Sequence, residues 1–202
     1  RARQRLARPG ARQCHNDPMG GPVDAIADGV ALPRSPIVLA VLSLKGGVGK
    51  TSVALGLAGA ALQRGLPTLV VDLDPQANAT VALDPAAVPY TVSDVLHDGR
   101  PGVAGDAVVE SCWGPGLRLV PSERALEHRA SETYPGSEQR LRTSLTGVAA
   151  GYSLVLIDCP PNLGELTRNA LYAANAALVV TEPSYFAVQG AAQAVEAVSV
   201  VQ

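Results

Sequence analysis

Five short apolar runs punctuate the chain: "IVLAVLS" (37–43), "PTLVVDLD" (67–74), "LRLVPS" (117–122), "YSLVLIDCPP" (152–161) and "ALVVTEP" (177–183). Each is continuous rather than alternating, as expected of strands buried on both faces of a parallel sheet. Between them lie stretches of helical character. Thr51 to Arg64 is rich in Ala and Leu and stops at Gly65. "TVSDVLHDG" (91–99) carries a short helix signal, 123–149 holds helical stretches, and "LGELTRNALYAANA" (163–176) reads as a further helix. A last helical stretch runs from 187 to 202. Strands alternating with helices predict an α/β fold, a doubly wound and mostly parallel sheet with helices on both faces.

Before residue 36 there is no hydrophobic period. Arg1, Arg3, Arg5, Arg8 and Arg12 crowd the start and prolines punctuate the rest, so residues 1–35 read as a disordered tail. A basic arm that touches nucleic acid is the alternative, and a third reading starts the protein at Met19, the only methionine. Residues 36–202 then form one domain, consistent with 202 residues of which 47% are hydrophobic. The net charge of −2 supplies no overall basic footprint for nucleic acid. No apolar run approaches the ~18 residues of a membrane-spanning helix, and no apolar block follows the N-terminal arginines as it would in a secretory signal. Cys14, Cys112 and Cys159 show no metal-ligand spacing and fit a reducing cytoplasm.

The candidate chemistry begins in "LSLKGGVGKTS" (42–52). A strand ending in a glycine-rich turn that opens a helix makes an anion site from backbone N–H groups and the helix dipole. Gly46, Gly47 and Gly49 let the chain pass close to phosphate, with Val48 between them. Lys50 is expected to reach the β- and γ-phosphates of a nucleoside triphosphate and Thr51 to ligate Mg²⁺, with Ser52 counted among the nucleotide-binding residues. The spelling departs from G-x-x-x-x-G-K-[ST], because Leu44 stands in the first glycine's place and Lys45 follows it. Lys45 and Lys50 are the only lysines in the chain. A compact ammonium on a flexible stem suits a tight phosphate cradle better than a guanidinium fork. Carboxylates are expected at neighbouring strand ends: Asp72 and Asp74 close the second run and Asp158 the fourth. Helix caps or solvated strand ends are the plain alternative for any one of them.

These residues carry a resemblance. "KGGVGKT" is similar to the deviant Walker A motif, "VVDLDPQANAT" (70–80) to the Walker A′ motif, and "LVLIDCPPNLGELTRNAL" (154–171) to the Walker B region. With "TEPSYFAVQG" (181–190) they resemble the ParA/Soj branch of the partition ATPases, kin to MinD. The resemblance implies ATP and Mg²⁺ as cofactors and an ATP-dependent sandwich homodimer that positions DNA or other cargo in the bacterial cytoplasm. A ParB-like centromere-binding partner and association with the nucleoid belong to the same expectation. It makes Lys45 the signature lysine, reaching the partner's ATP as an arginine finger does elsewhere. Asp74 matches the acid that orients the attacking water, while Asp72 and Asp158 match acids on the metal side. Leu44 is read as giving Lys45 a rigid exit from its strand.

Residues 1–36 cannot hold the helix-turn-helix domain of the larger partition ATPases. The family also continues beyond a helix such as 187–202, with further strands, adenine contacts and the basic residues for non-specific DNA binding. The C-terminal part of the family fold is therefore expected to be absent, and "ALVVTEP" to be an interior strand deprived of neighbours. Two other classes stay open. One is a metabolic P-loop enzyme, nitrogenase-reductase-like or dethiobiotin-synthetase-like. The other is a MinD-like membrane regulator, although no membrane segment is evident.

Overall fold

The computed structural model describes residues 35–183 together with 192, 193, 195, 196, 198 and 199. The N-terminal tail of the sequence reading and most of its last helix lie outside the described residues.

Six strands form one sheet: β1 (Ile37–Leu42), β2 (Thr68–Asp72), β3 (Val109–Glu110), β4 (Leu117–Val120), β5 (Leu154–Asp158) and β6 (Ala176–Val179). Their order across the sheet is β3-β4-β2-β5-β1-β6. Every pairing is parallel except the short antiparallel β3–β4 contact. From β1 the chain crosses over β5 to reach β2. From β5 it crosses over β1 to reach β6. The adjacent β1 and β5 thus mark the point where successive crossovers diverge, where α/β sheets open a crevice at their strands' carboxyl ends. The loop after β1 and Asp158 at the end of β5 both lie there.

Helices cover both faces. On one, α1 (Lys50–Gln63) and α2 (Asn78–Leu83) bring Ala58, Ala79 and Leu83 onto Val70, Leu117, Leu119 and Leu156. On the other, α3 (Val92–Asp98), α4 (Leu126–Ala130), α5 (Arg140–Ser144) and α6 (Glu165–Ala173) cover Leu69, Val71, Val155 and Ile157. Val70 and Leu156 face one layer and their chain neighbours the other, which is why these runs are continuously apolar. Asn175 fixes the register of β6: its Oδ1 accepts from the Val38 N–H at 3.0 Å and its Nδ2 donates to Pro36 O at 2.9 Å.

The expected α/β architecture is present, with local differences. The second strand ends at Asp72, and Leu73 and Asp74 belong to the following loop. The helical region 123–149 is divided by Gly136 at φ +88° and Gly147 at φ +79°. The apolar pattern signals neither the helix α2 nor the strand β3. "DPQAN" gives turn signals, and two-residue β3 is too short to show a period. Among the described residues β6 pairs with β1 alone, in line with the expectation of a strand deprived of further neighbours.

Candidate nucleotide site

The loop between β1 and α1 is fixed at its base by Ser43. This buried hydroxyl donates to Lys45 O at 2.8 Å and accepts from Lys45 N–H at 3.1 Å, clamping the lysine's backbone from both sides. The rigid exit assigned to Leu44 from sequence is supplied by Ser43. Beyond it, Gly47 (φ +81°) and Gly49 (φ +91°) adopt the left-handed conformation that an L side chain would strain. Gly46 has no such backbone reason, and a Cβ there would meet nothing within 4 Å. Neither strain nor packing requires that glycine, so open space in front of the loop is what its missing side chain preserves. No side chain caps α1 and no acid lies in its first turn. Its N–H groups and dipole are therefore left to an anion.

Three carboxylates lie behind the loop. Asp158 is fully buried and bridges the first two residues of α1. Its Oδ1 pairs with Lys50 Nζ at 2.7 Å, and its Oδ2 accepts from Thr51 Oγ1 at 2.7 Å. Asp74 stands on the far side of Lys50, 3.7 Å from Nζ through Oδ2, and its Oδ1 accepts from the Gln76 N–H at 2.9 Å. Lys50, 7% exposed, is thus held between two acids, its charge compensated inside the fold. Burial pushes the Asp158 carboxyl above the ordinary range, with Lys50 and Thr51 opposing that rise.

Asp72 sits beside Asp158 in the sheet register, and its oxygens are taken up by donors of the following segment. Oδ2 accepts from the Thr80 N–H and Oγ1–H, both at 2.7 Å, and Oδ1 from the Asp74 N–H at 3.2 Å. Thr80 Oγ1 in turn accepts from the Ser122 N–H at 2.8 Å, and Ser122 Oγ donates to Asp74 O at 2.8 Å. Asp72, Thr80 and Ser122 together tie the 73–77 loop and the start of α2 to the ends of β2 and β4. Burial, with a further push from Asp158, raises the Asp72 carboxyl to about 6 against the lowering donated by Thr80. The structure brings Lys50, Thr51, Asp74 and Asp158 into one cluster and gives Asp72 the work of holding the loop. Thr80 and Ser122 had no role in the sequence reading. A hydroxyl at each loop junction is a faint signal that only the pairing of β2 with β4 makes specific.

Lys45 does not join this cluster. Its side chain is 62% exposed and forms an ion pair with Glu182, just beyond β6. Cys159, next to Asp158, is fully buried, and burial pushes its thiol far up, so it is a small core residue rather than a ligand or nucleophile.

Among the described residues no group of three or more His, Cys, Asp or Glu side chains is arranged to hold a metal ion. The Thr51 hydroxyl spends its proton on Asp158 and keeps its lone pairs, and the adjacent carboxylate can hold a metal-bound water.

A family model described as an AAA domain, AAA_31, matches residues 37–202. The chain is 33% identical over 169 residues to the sporulation initiation inhibitor protein Soj of Bacillus subtilis, covering 82% of this chain and 66% of that protein. The chromosome partitioning protein ParA of Caulobacter vibrioides is 38% identical over 162 residues, covering 77% and 60%. The chain belongs to this family of ParA-type P-loop ATPases. A crystal structure of cobyrinic acid a,c-diamide synthase from Mycobacterium smegmatis with bound ADP and magnesium superimposes on the ParA-type chain with a TM-score of 0.71. It is 34% identical, with 83% of this chain and 68% of the other covered. The present chain spans 60–66% of the length of these two curated relatives.

Proposed function

We propose that this chain binds ATP with Mg²⁺ and hydrolyses it slowly as a sandwich homodimer, in the segregation or positioning of DNA or other cargo. The observation that carries the nucleotide site is Asp158, whose two oxygens hold Lys50 and Thr51 in place behind an uncapped helix N-terminus. Gly46, Gly47, Val48, Gly49 and the first residues of α1, including Ser52, wrap the phosphates. Lys50 offers its charge to the β- and γ-phosphates. Thr51, with Asp158 through a water, would hold Mg²⁺, which supplies charge neutralisation between phosphates. Asp72, the register partner of Asp158, stands on the metal side, and its hydrogen bonds keep the 73–77 loop and the start of α2 in place. Asp74, held by the Gln76 N–H and near Lys50, orients the water that attacks the γ-phosphorus. Lys45, exposed and with its backbone clamped, reaches the nucleotide of a second copy. A single carboxylate is a weak catalytic apparatus, so unaided turnover is slow.

The names of the curated relatives support a partition role, with a ParB-like partner and non-specific DNA as its other components. The diamide synthase likeness keeps a metabolic P-loop enzyme as the second reading. An iron–sulfur reductase is disfavoured by the complete burial of Cys159, which cannot reach a cluster shared between subunits. Isothermal calorimetry with ATP and Mg²⁺ tests the site. Wild type is expected to bind and Lys50→Ala to lose about 10- to 100-fold in affinity, the worth of hydrogen bonds to a charged group. Unchanged affinity in Lys50→Ala overturns the assignment.

A further inference from the structure

Lys45 and Glu182 are brought together by two neighbouring strand ends. The Val180 N–H donates to Leu42 O at 2.9 Å, so the β1–β6 ladder continues to the residue before the phosphate loop begins. Glu182 lies two residues past that bond, and Lys45 is fixed three residues past Leu42 by the reciprocal Ser43 clamp. Asn175 pins the other end of β6. The two strand ends thus set the two side chains, 62% and 39% exposed, beside each other.

We propose that Glu182 is a positioning residue that holds Lys45 on its own subunit and competes with the reach of that lysine to a nucleotide on a second copy. The inference rests on the trans role given to Lys45 above. One ammonium on one stem cannot pair with Glu182 and enter another subunit's site, so association costs the ion pair. A surface pair shifts an equilibrium by a factor of up to about 5. In a two-fold dimer both pairs open, and the effect on the association constant is squared, to about 2- to 25-fold. Glu182 thereby sets a threshold for dimer formation without touching the nucleotide.

The chain's two lysines make the contact measurable without nucleotide, because Lys45 is exposed while Lys50 is buried and serves as internal reference. Amine acylation of the full chain, read by peptide mass spectrometry, is expected to modify Lys45 about 2- to 5-fold faster in Glu182→Gln than in wild type. Sedimentation with ATP and Mg²⁺ is expected to show tighter self-association of Glu182→Gln than of wild type, and no such gain when Glu182→Gln is added to Lys45→Ala. An unchanged Lys45 labelling rate overturns the proposal, whatever the sedimentation shows. So does faster labelling with association unchanged or weakened, or an equal gain in the Lys45→Ala background. If wild type binds ATP yet never self-associates, the trans reading of Lys45 fails instead, and the labelling rates still decide whether Glu182 holds Lys45.

Discussion

Thr51 carries two duties that one substitution separates. Its hydroxyl proton goes to Asp158, and its lone pairs are the proposed metal contact. Thr51→Val keeps the shape of the side chain and removes both. ADP affinity without metal is expected to change little, while the gain in affinity on adding Mg²⁺ falls by about tenfold, the loss of one charge-assisted contact. Titration calorimetry with and without Mg²⁺ reads the two quantities, and an undiminished Mg²⁺ effect contradicts the role. Asp72 makes a second residue-scale prediction. Its folded pKa of about 6 lies above the ordinary 3.8, so between these values the folded protein holds a proton that the unfolded chain has released. Its contribution to stability is therefore fully present below pH 4 and is lost as pH rises to about 6. The loss is about 3 kcal/mol and the curve is flat above. Asp158 is displaced in the same direction, so the clean measure is the difference between wild type and Asp72→Asn in urea midpoints across pH. A difference that does not change between pH 4 and 6 contradicts the assignment.

Hydrolysis depends on the 73–77 loop and the first turn of α2, which carries Thr80. Thr80 receives the Ser122 N–H and satisfies Asp72 through two donors, so Thr80→Val strips a buried carboxylate of one hydrogen bond and orphans the Ser122 donor. A stability loss of about 1–3 kcal/mol is expected by denaturant titration. ATP binding should survive and turnover should fall, because the loop no longer holds Asp74 in place. Loss of ATP binding in a folded Thr80→Val would place the loop in the binding site itself. This element also marks how far the sequence could be read. The five principal strands, α1 and α6 were legible because apolar runs and a glycine stop are local signals. The meeting of Lys50, Thr51 and Asp158 was legible because the motif expected there calls for a lysine, a hydroxyl and a strand-end acid close together. The Ser43 clamp, the Thr80–Ser122 link and the Lys45–Glu182 pair were not, since each depends on which strands lie side by side. The order β4-β2-β5-β1-β6 is not written in any window of the chain. Helix α2 was hidden for another reason: it starts after Ala77 in a left-handed conformation (φ 56°), so its entrance reads as a turn.

At the scale of the whole molecule, the crevice at the ends of β1 and β5 carries the phosphate site, and Lys45 beside it is aimed outward rather than into it. That division is the central claim: each site is built from one chain except for one lysine supplied by another. Lys45→Ala should bind ATP and fail to form the dimer's productive site. Asp74→Ala should bind ATP, associate, and stay associated for lack of an oriented water. Neither is expected to hydrolyse ATP alone. In a mixed dimer, the Lys45→Ala subunit keeps its own Asp74 and receives an intact Lys45 from its Asp74→Ala neighbour, which restores one site of two. The most direct measurement is phosphate release from an equal mixture of the two variants. With the variants mixed before ATP is added, phosphate release is expected to rise clearly above that of either variant alone and toward about a quarter of the wild-type rate, the value for random pairing, in which half the dimers are mixed and each has one complete site. A mixture as inactive as its components, with both binding ATP and sedimenting together, would contradict the trans lysine, as would a Lys45→Ala variant that hydrolyses ATP at the wild-type rate alone.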